Sequence, residues 1–323
     1  MFDVCAIGDA LIDFKPVTDC GRQNCVEANA GGTAANLVCA CARMGLKSAM
    51  LGKVGSDHYG TFLLSTLRQY GVSTEGMIVD QNIRTTLAFV HPEANGERSF
   101  SFFRNPGADM MYHEAEIDYS VIDASKIFYF SSMALTDEPE RTACRRAVEY
   151  AKSRGKLICC DVNLRINLWK DPGEALRVIR EYIRYADILK LSEEELFFVC
   201  GQRIGLEEAV DALPALCSPA LLVVSLGENG CRYRTPACRG SHPGYRVKAV
   251  DTVGAGDISL AGLLAALCGK SPAKIQDLSE TELSDIFDFA NAAGAVSVTR
   301  TGSITSAPDT EEIRTFLKQR RVG

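Results

Sequence analysis

The segment DTVGAGD, which runs from Asp251 to Asp257, places two carboxylates, a hydroxyl group and two glycines directly before an apolar stretch. Gly254 and Gly256 allow backbone N–H groups to face a ligand without an intervening Cβ, and the helix predicted from Ile258 contributes the partial positive charge of its N-terminus. These features predict a binding site for an anion. The alternative is a tight turn in which Asp257 only caps the helix.

A carboxylate in this position has a clear use in phosphoryl transfer, where the protein mainly positions the reactants and stabilises charge. Asp257 can accept the proton of an attacking hydroxyl group as the new bond to phosphorus forms. The N–H groups of Gly254, Ala255 and Gly256 can stabilise the charge on the moving phosphoryl group. The segment therefore predicts a catalytic base beside an anion hole.

A second group of polar residues lies near the N-terminus. Gly31 and Gly32 precede a predicted helix, and the side-chain amide of Asn36 can both donate to and accept from a hydroxyl group. Asp13 follows the apolar stretch of GDALIDF, where a buried carboxylate is costly unless it meets ligand hydroxyls or a helix N-terminus. A plain loop-to-helix connection and a turn or cap role for Asp13 are the alternatives.

The composition argues against several other classes of protein. A formal net charge of -6 over 323 residues and a pI near 5.4 provide no basic field for nucleic acids or membrane surfaces. The first residues, MFDVCAIGDALIDF, lack the basic head and cleavage site of a signal peptide, so we expect a cytoplasmic location. Gly269-Lys270-Ser271 has the wrong spacing for a P-loop, and GDALID lacks the glycine pattern of a dinucleotide fold.

Short apolar stretches alternate with segments of helical periodicity, which predicts βαβ units. We therefore expect an α/β fold in three layers, a mainly parallel sheet with helices on both faces, formed by residues 1–323 as one domain. The predicted strands are DVCAIG, SAMLGKV, KIFYFS, KLICCDVN, DILKLS and ALLVVSLG. The predicted helices cover residues 34–44, 60–70, 139–154, 173–185, 192–199, 258–267, 283–299 and 310–319.

Two segments interrupt this alternation. Residues 14–30 are polar and rich in turn formers, and residues 84–111 contain TTLAFVHP and RSFSFFRN, which predict an antiparallel hairpin with a turn at Asn95-Gly96. Excursions of this kind commonly form a lid over the ligand crevice of an open α/β sheet. The apolar FSFF residues of the hairpin also suggest pairing with a second copy of the chain.

The chain resembles the ribokinase-like (pfkB) carbohydrate kinases nearly from end to end, and within them most closely the fructokinases. AGGTAANLVCACARMG is similar to the N-terminal signature of the family, and DTVGAGD to its C-terminal signature. FRNPGADM and DVNLRINLW resemble stretches typical of fructokinases. LKLSEEEL is similar to the segment that orders magnesium and phosphate, and VVSLGENG to a strand and turn on the nucleotide side.

The resemblance implies a role for each matching residue, with Asp257 as the catalytic base. It assigns Asp13, Gly31, Gly32, Asn36, Arg104 and Arg165 to the sugar, with Arg104 reaching in from the lid and Arg165 also near the transferred phosphate. It assigns Lys190, Ser192, Ser225, Gly227, Gly230 and Asn291 to the nucleotide, and Glu195 to a hydrated magnesium ion. It further implies a monovalent cation such as potassium near Asp251 and the loop of residues 300–303.

The expected function is that of an ATP-dependent fructokinase with Mg²⁺, which transfers the γ-phosphate of ATP to the 6-hydroxyl of D-fructose. One alternative is a kinase of the same family for another sugar, such as 2-keto-3-deoxygluconate or ribose. Another is a non-catalytic sensor of sugar or nucleotide, against which the intact Asp257 and its glycine turn argue. The expected partners are the sugar and ATP, together with a second copy of the chain bound through the lid.

Overall fold

The computed structural model describes residues 1–17, 25–92, 98–201 and 204–321 of the chain. The strands are β1 (Val4–Ile7), β2 (Leu11–Pro16), β3 (Val26–Gly31), β4 (Ser48–Gly55), β5 (Met77–Asp80), β6 (Leu87–Pro92), β7 (Arg98–Phe103), β8 (Ile127–Ser131), β9 (Leu157–Asp161), β10 (Ile188–Ser192), β11 (Leu221–Ser225), β12 (Cys231–Arg234) and β13 (Arg239–His242). The helices are α1 (Thr33–Arg43), α2 (His58–Gln69), α3 (Tyr119–Asp123), α4 (Glu140–Ser153), α5 (Pro172–Tyr182), α6 (Glu193–Cys200), α7 (Leu206–Ala212), α8 (Ala255–Leu267), α9 (Pro272–Gln276), α10 (Glu280–Ser297) and α11 (Thr310–Arg321).

Nine strands form the central sheet in the order β13-β12-β11-β10-β9-β8-β1-β4-β5. All neighbouring pairs from β11 to β5 are parallel, whereas β12 pairs antiparallel with both of its neighbours, β11 and β13. Every residue of β1, β8 and β9 is buried, because helices cover the sheet on both faces. The continuous apolar stretches of the sequence follow from this double burial.

Two hydrophobic cores lie on opposite faces of this sheet. One contains residues of α1, α8 and α10, and the other contains residues of α4, α5 and α6. Successive residues of β1 alternate between them: Val4 and Ala6 belong to the first core, Cys5 and Ile7 to the second. The three-layer α/β fold predicted from the sequence is confirmed.

Strands β3, β2, β6 and β7 form a separate four-stranded sheet, which we call the lid sheet. The pairing of β6 with β7 is antiparallel, as the predicted hairpin requires, although its predicted turn at Asn95-Gly96 lies outside the described residues. Of the segment 14–30, the described residues 14–16 belong to β2 and 26–30 to β3, and residues 18–24 lie outside the described part of the chain. The Phe14 ring of β2 stacks on Phe89 of β6 at 4.8 Å, and this apolar contact stabilises the strand pairing.

Helix α8 begins three residues earlier than the apolar pattern predicts. Gly254 takes a left-handed conformation with φ of 79°, which ends the preceding loop and allows the helix to start at Ala255. Asp257 therefore lies in the first turn of the helix. Within the described residues, no helix is both long enough and apolar enough to cross a membrane.

Candidate active site

Asp257 lies where α8 meets α1, near the edge at which the parallel strands end. Asn36 of α1 donates a hydrogen bond from Nδ2 to Oδ2 of Asp257 at 2.8 Å. Burial raises the pKa of Asp257 to about 7, and the nearby charge of Asp161 adds to this shift. A carboxyl group with this pKa is suited to accept a proton near neutral pH.

The loop before Asp257, Gly254 to Gly256, supplies backbone N–H groups to the same place; we call it the anion loop. A Cβ on Gly254 would lie 2.9 Å from the Cβ of Ser303, so both the positive φ and the packing favour glycine there. The N–H of Ala255 donates to Thr252 O at 3.3 Å. The N–H of Gly256 belongs to the first turn, where an α-helix provides no acceptor, so it suits an incoming anion.

Asp13 of β2 and Gly31 of β3 are diagonal neighbours in the lid sheet, because the register places Leu11 opposite Gly31 and Asp13 opposite Asn29. A Cβ on Gly31 would clash with the Asp13 carboxylate, so only glycine at this position leaves room for that carboxylate. Burial raises the pKa of Asp13 to about 7, although the charges of Lys15 and Arg165 act in the opposite direction. A buried carboxylate of this kind matches the role in sugar binding predicted for Asp13.

Arg165 lies in a cleft of about 780 Å³ that also reaches Asp257 and Gly254. Its guanidinium group lies 5.8 Å from the centre of the Phe100 ring, which belongs to β7 of the lid sheet. The lid therefore contributes one wall of the cleft. Because a guanidinium fork suits anionic oxygens, this position matches the predicted role of Arg165 near the transferred phosphate.

Lys190 of β10 connects this cleft to a second cavity, since it lines both. Its Nζ lies 2.7 Å from Oδ2 of Asp161, which is fully buried at the end of β9. Burial opposes a charge on Lys190, but the carboxylates of Asp161 and Glu195 outweigh it and raise the pKa of the ammonium group. Lys190 is therefore a fixed cation beside the anion loop.

The second cavity measures about 650 Å³ and is mostly apolar, with several polar groups among its lining residues. It is lined by the six residues that the family resemblance assigns to a nucleotide, and it borders the anion loop at Gly256. Asn291 of α10 faces it while donating to Pro243 O at 3.1 Å. The six residues are Lys190, Ser192, Ser225, Gly227, Gly230 and Asn291.

Ser192 and Glu195 form a capping box at the start of α6. Ser192 Oγ accepts from the Glu195 N–H at 3.2 Å, and Glu195 Oε2 accepts from the Ser192 N–H at 2.8 Å. The other oxygen of Glu195 accepts from the N–H of Leu164 at 2.6 Å. These bonds fix the Glu195 carboxylate at the wall of the cleft, where its remaining lone pairs suit the water shell of a hydrated cation.

Arg104 has an environment that the sequence did not indicate. Its side chain is 2% exposed and forms ion pairs with Asp109 at 2.7 Å and Glu140 at 2.9 Å. It also donates to Oγ1 of Thr136 at 2.7 Å and to Met133 O at 3.5 Å. These bonds commit most of the five guanidinium N–H groups to the protein, so the structure gives Arg104 a clear role in joining β7 to α4.

Asp251 lies on the other side of the anion loop and binds the ammonium group of Lys15 at 2.7 Å. Its carboxylate also accepts from the N–H groups of Val253 and Gly302, each at 3.0 Å. Burial favours the neutral acid, but these hydrogen bonds outweigh it and lower the pKa of Asp251. The predicted cation ligand is thus a charged carboxylate, placed beside the predicted loop of residues 300–303.

Several residues of the site were not predicted. Asp9 accepts from the N–H of Thr33 at 2.9 Å and so caps α1, because Gly32 has no side chain to do so. Asn163 has φ of 36° and donates to Thr33 Oγ1 at 2.8 Å. Asp9 follows the buried strand β1, and Asp161 is the last residue of the buried strand β9. The criterion used for Asp13, a carboxylate next to an apolar stretch, would therefore have identified both. The role of Lys15 has no such signal in the sequence.

Comparisons with known proteins show what the chain as a whole is similar to. A family model for pfkB family carbohydrate kinases matches residues 1–310. The chain is 39% identical to probable fructokinase-5 of Arabidopsis thaliana over 324 residues, which cover 98% of each protein.

Solved structures of fructokinases are also similar to the chain over nearly its whole length. The fructokinase of Xylella fastidiosa with bound ATP aligns with a TM-score of 0.89 and 27% identity, over 99% of this chain and 100% of that one. Fructokinase from Vibrio cholerae O395 with fructose, ADP and a calcium ion aligns with a TM-score of 0.88 and 32% identity, over 98% of this chain and 99% of that one. A double mutant of the Vibrio enzyme with fructose, ADP and a potassium ion has the same TM-score of 0.88, with 31% identity and 98% of each chain covered.

Proposed function

Because the chain belongs to the pfkB family of carbohydrate kinases, we propose that it transfers the γ-phosphate of ATP to the 6-hydroxyl of D-fructose. The observation that carries this proposal is the position of Asp257. It is a buried carboxyl group with a pKa near 7, held by Asn36 beside the anion loop. The loop borders both the cleft and the cavity, so a sugar hydroxyl and a triphosphate can meet at Asp257.

In the proposed reaction, the 6-oxygen of fructose attacks the γ-phosphorus while Asp257 accepts the hydroxyl proton. A bond forms between that oxygen and phosphorus, the bond from the γ-phosphorus to the β-phosphate oxygen breaks, and ADP leaves. The N–H groups of the anion loop and the ammonium group of Lys190 stabilise the charge that develops on the phosphoryl oxygens. Asp13, Gly31, Gly32 and Asn36 hold the sugar hydroxyls, and Arg165 contacts the sugar or the transferred phosphate.

We propose Mg²⁺ as the metal ion that accompanies ATP. The described residues contain no cluster of three or more acidic, His or Cys side chains that would bind a bare ion. Magnesium usually keeps several waters and is held by one or two carboxylates together with substrate phosphates, so a single carboxylate such as Glu195 fits it. Glu195 would contact its water shell, and the ion would neutralise charge on the phosphates. For potassium, Asp251 is the predicted ligand, and this carboxylate already binds an ammonium group.

We also propose a homodimer formed through the outer face of the lid sheet. Phe14, Phe89 and Phe103 form a row of ring contacts across this face, at 4.8 Å and 5.3 Å, and Phe103 is 66% exposed. Phe14 and Phe89 are half-buried, and an exposed aromatic side chain such as Phe103 on the edge strand of a sheet is typical of a protein interface. Light scattering should give twice the mass of the chain, and Phe103→Ser should shift it toward the monomer.

Two further predictions from the sequence remain proposals. One is that residues 1–323 form a single kinase domain with lid excursions at 14–30 and 84–111. The other is that the protein resides in the cytoplasm. Limited proteolysis would test the first, because a single domain should be cut only in its loops.

The experiment that tests the function is a coupled ADP-release assay with ATP and Mg²⁺ across fructose, 2-keto-3-deoxygluconate, ribose, glucose and tagatose. We expect the highest kcat/KM with fructose. A clear preference for another sugar would retain Asp257 and the anion loop but refute the substrate assignment. Tight sugar binding in calorimetry without turnover of any sugar would refute the kinase and favour a sensor.

A further inference from the structure

Lys15 places a positive charge at the carboxylate for which the sequence predicts a monovalent cation. Its Nζ lies 2.7 Å from Asp251 Oδ2, and the two side chains are only 15% and 9% exposed. Lys15 follows Asp13 by two residues on β2, so both side chains point to the same face of the lid sheet. Strand β2 thus contributes one residue to the predicted sugar site and one to the predicted cation site.

The carboxylate that Lys15 binds is directly connected to the anion loop. Asp251 Oδ1 accepts from the N–H of Val253, the residue before Gly254, and Oδ2 accepts from the N–H of Gly302. These two bonds hold the start of the anion loop against the 300–303 segment. A cation at Asp251 therefore changes the electrostatic potential at the anion loop, which is to receive the phosphoryl group.

A potassium ion and a lysine ammonium group carry the same charge and are similar in size. The ammonium group is a compact point charge, and at 2.7 Å it already takes the position nearest to Oδ2. A second cation at this oxygen would be repelled by the first in a partly buried site, where water screens charges poorly. The observed residues therefore do not fit potassium at Asp251 while Lys15 is in place.

We propose that the ammonium group of Lys15 is the monovalent cation of this site, so that the enzyme works without potassium. The proposal rests on the kinase activity proposed above. Because Lys15 belongs to the lid sheet, the cation is part of the lid and is present whenever the lid covers the site. Removal of the lysine side chain would leave Asp251 able to bind a potassium ion from solution.

The test measures fructose phosphorylation in potassium, sodium and tetramethylammonium chloride at equal ionic strength. The wild-type enzyme is expected to have the same kcat/KM in all three salts, within about twofold. Lys15→Met should lose about tenfold or more in sodium and tetramethylammonium and recover most of this loss in potassium. Lys15→Arg, which keeps the charge, should remain independent of potassium.

Lys126→Met is the matched control. Lys126 forms an ion pair of the same length with Asp3, 2.7 Å, but on the surface at the opposite ends of the strands. This variant should behave like the wild type in every salt. A thermal shift assay adds a readout that does not depend on turnover: potassium should raise the Tm of Lys15→Met above its value in sodium, and should leave the wild type unchanged.

Several results would overturn the proposal. One is activation of the wild type by potassium over sodium by more than about fivefold. Another is a folded Lys15→Met enzyme that potassium does not rescue, or one whose only defect is a raised KM for fructose in every salt. Absence of sugar phosphorylation by the wild type in all salts would refute the proposed function instead, and the thermal shift would still decide on Lys15.

Discussion

Asn36 and Asp257 belong to different helices, yet the amide of Asn36 donates to one carboxylate oxygen of Asp257 at 2.8 Å. The amide fixes the orientation of the carboxylate without competing for the proton that Asp257 is to accept. Its hydrogen bond favours the charged form, while burial and Asp161 disfavour it more strongly. The pair therefore combines a defined geometry with the basicity that a catalytic base needs near neutral pH.

Replacement of Asp257 by Asn should abolish most turnover and leave sugar binding nearly intact. The amide has almost the same shape but cannot accept a proton, so we expect kcat to fall by about 10² to 10⁴ and the Kd for fructose to change by less than about fivefold. Steady-state kinetics and calorimetry measure the two effects. Asp285→Asn, on the exposed side of α10, is the control and should retain wild-type kcat. Near-normal turnover by Asp257→Asn would exclude Asp257 as the base.

The pH dependence of kcat/KM should report two carboxyl groups. The pKa values of Asp257 and Asp13 are both raised to about 7. Each must be charged, Asp257 to accept a proton and Asp13 to accept hydrogen bonds from the sugar, so activity should rise with pH and level off above about 7. The slope on the acid side should exceed one. Asp13→Asn should reduce it to one, and an unchanged activity down to pH 5 would contradict both assignments.

The same Asp257→Asn variant should be more stable than the wild type at neutral pH. A buried carboxyl group with a raised pKa binds its proton more tightly in the folded state, so its contribution to stability is lost as pH rises from the unfolded pKa toward about 7. The amide has no such loss. The Tm difference should therefore be small near pH 4, grow up to pH 7 and stay constant above it. Scanning calorimetry without ligands measures this, and a difference independent of pH would contradict the raised pKa.

The sequence predicted the parallel sheet well, because β1, β8 and β9 are buried on both faces and read as continuous apolar stretches. The sequence did not predict several of the strands near the edges of the two sheets. Strand β12, CRYR, has two half-exposed arginines, and β3 has only one fully buried residue, Gly31, so neither has a strong apolar pattern. Such strands form because a neighbouring strand offers hydrogen bonds, which local composition does not reveal.

For the site, the glycine-rich motifs and the acid residues after strands were informative because their types are unusual in those positions. The ion pair of Lys15 with Asp251 joins residues 236 positions apart, and no spacing rule predicts it. Arg104 shows the opposite case. Its motif suggested a ligand contact, but the partners that surround it, Asp109 and Glu140, become visible only when the lid sheet and α4 meet.

Arg104→Gln should strongly destabilise the protein. The change leaves the carboxylates of Asp109 and Glu140 buried without their cation, and we expect a loss of about 3 to 5 kcal/mol in the free energy of unfolding. Arg146→Gln is the control, because its ion pair with Glu114 is 56% and 52% exposed, so its loss should leave the free energy of unfolding nearly unchanged. Denaturant unfolding compares the two variants.

The same variant also tests the role in sugar binding predicted for Arg104. If the guanidinium group mainly joins the lid sheet to α4, Arg104→Gln should lower stability, and Arg104→Lys should recover only part of it, because an ammonium group cannot reproduce the fork of hydrogen bonds. KM for fructose, measured well below the Tm, should then change less than stability does. An unfolding curve like that of the wild type, together with a large rise in KM, would instead support a direct contact between Arg104 and the sugar.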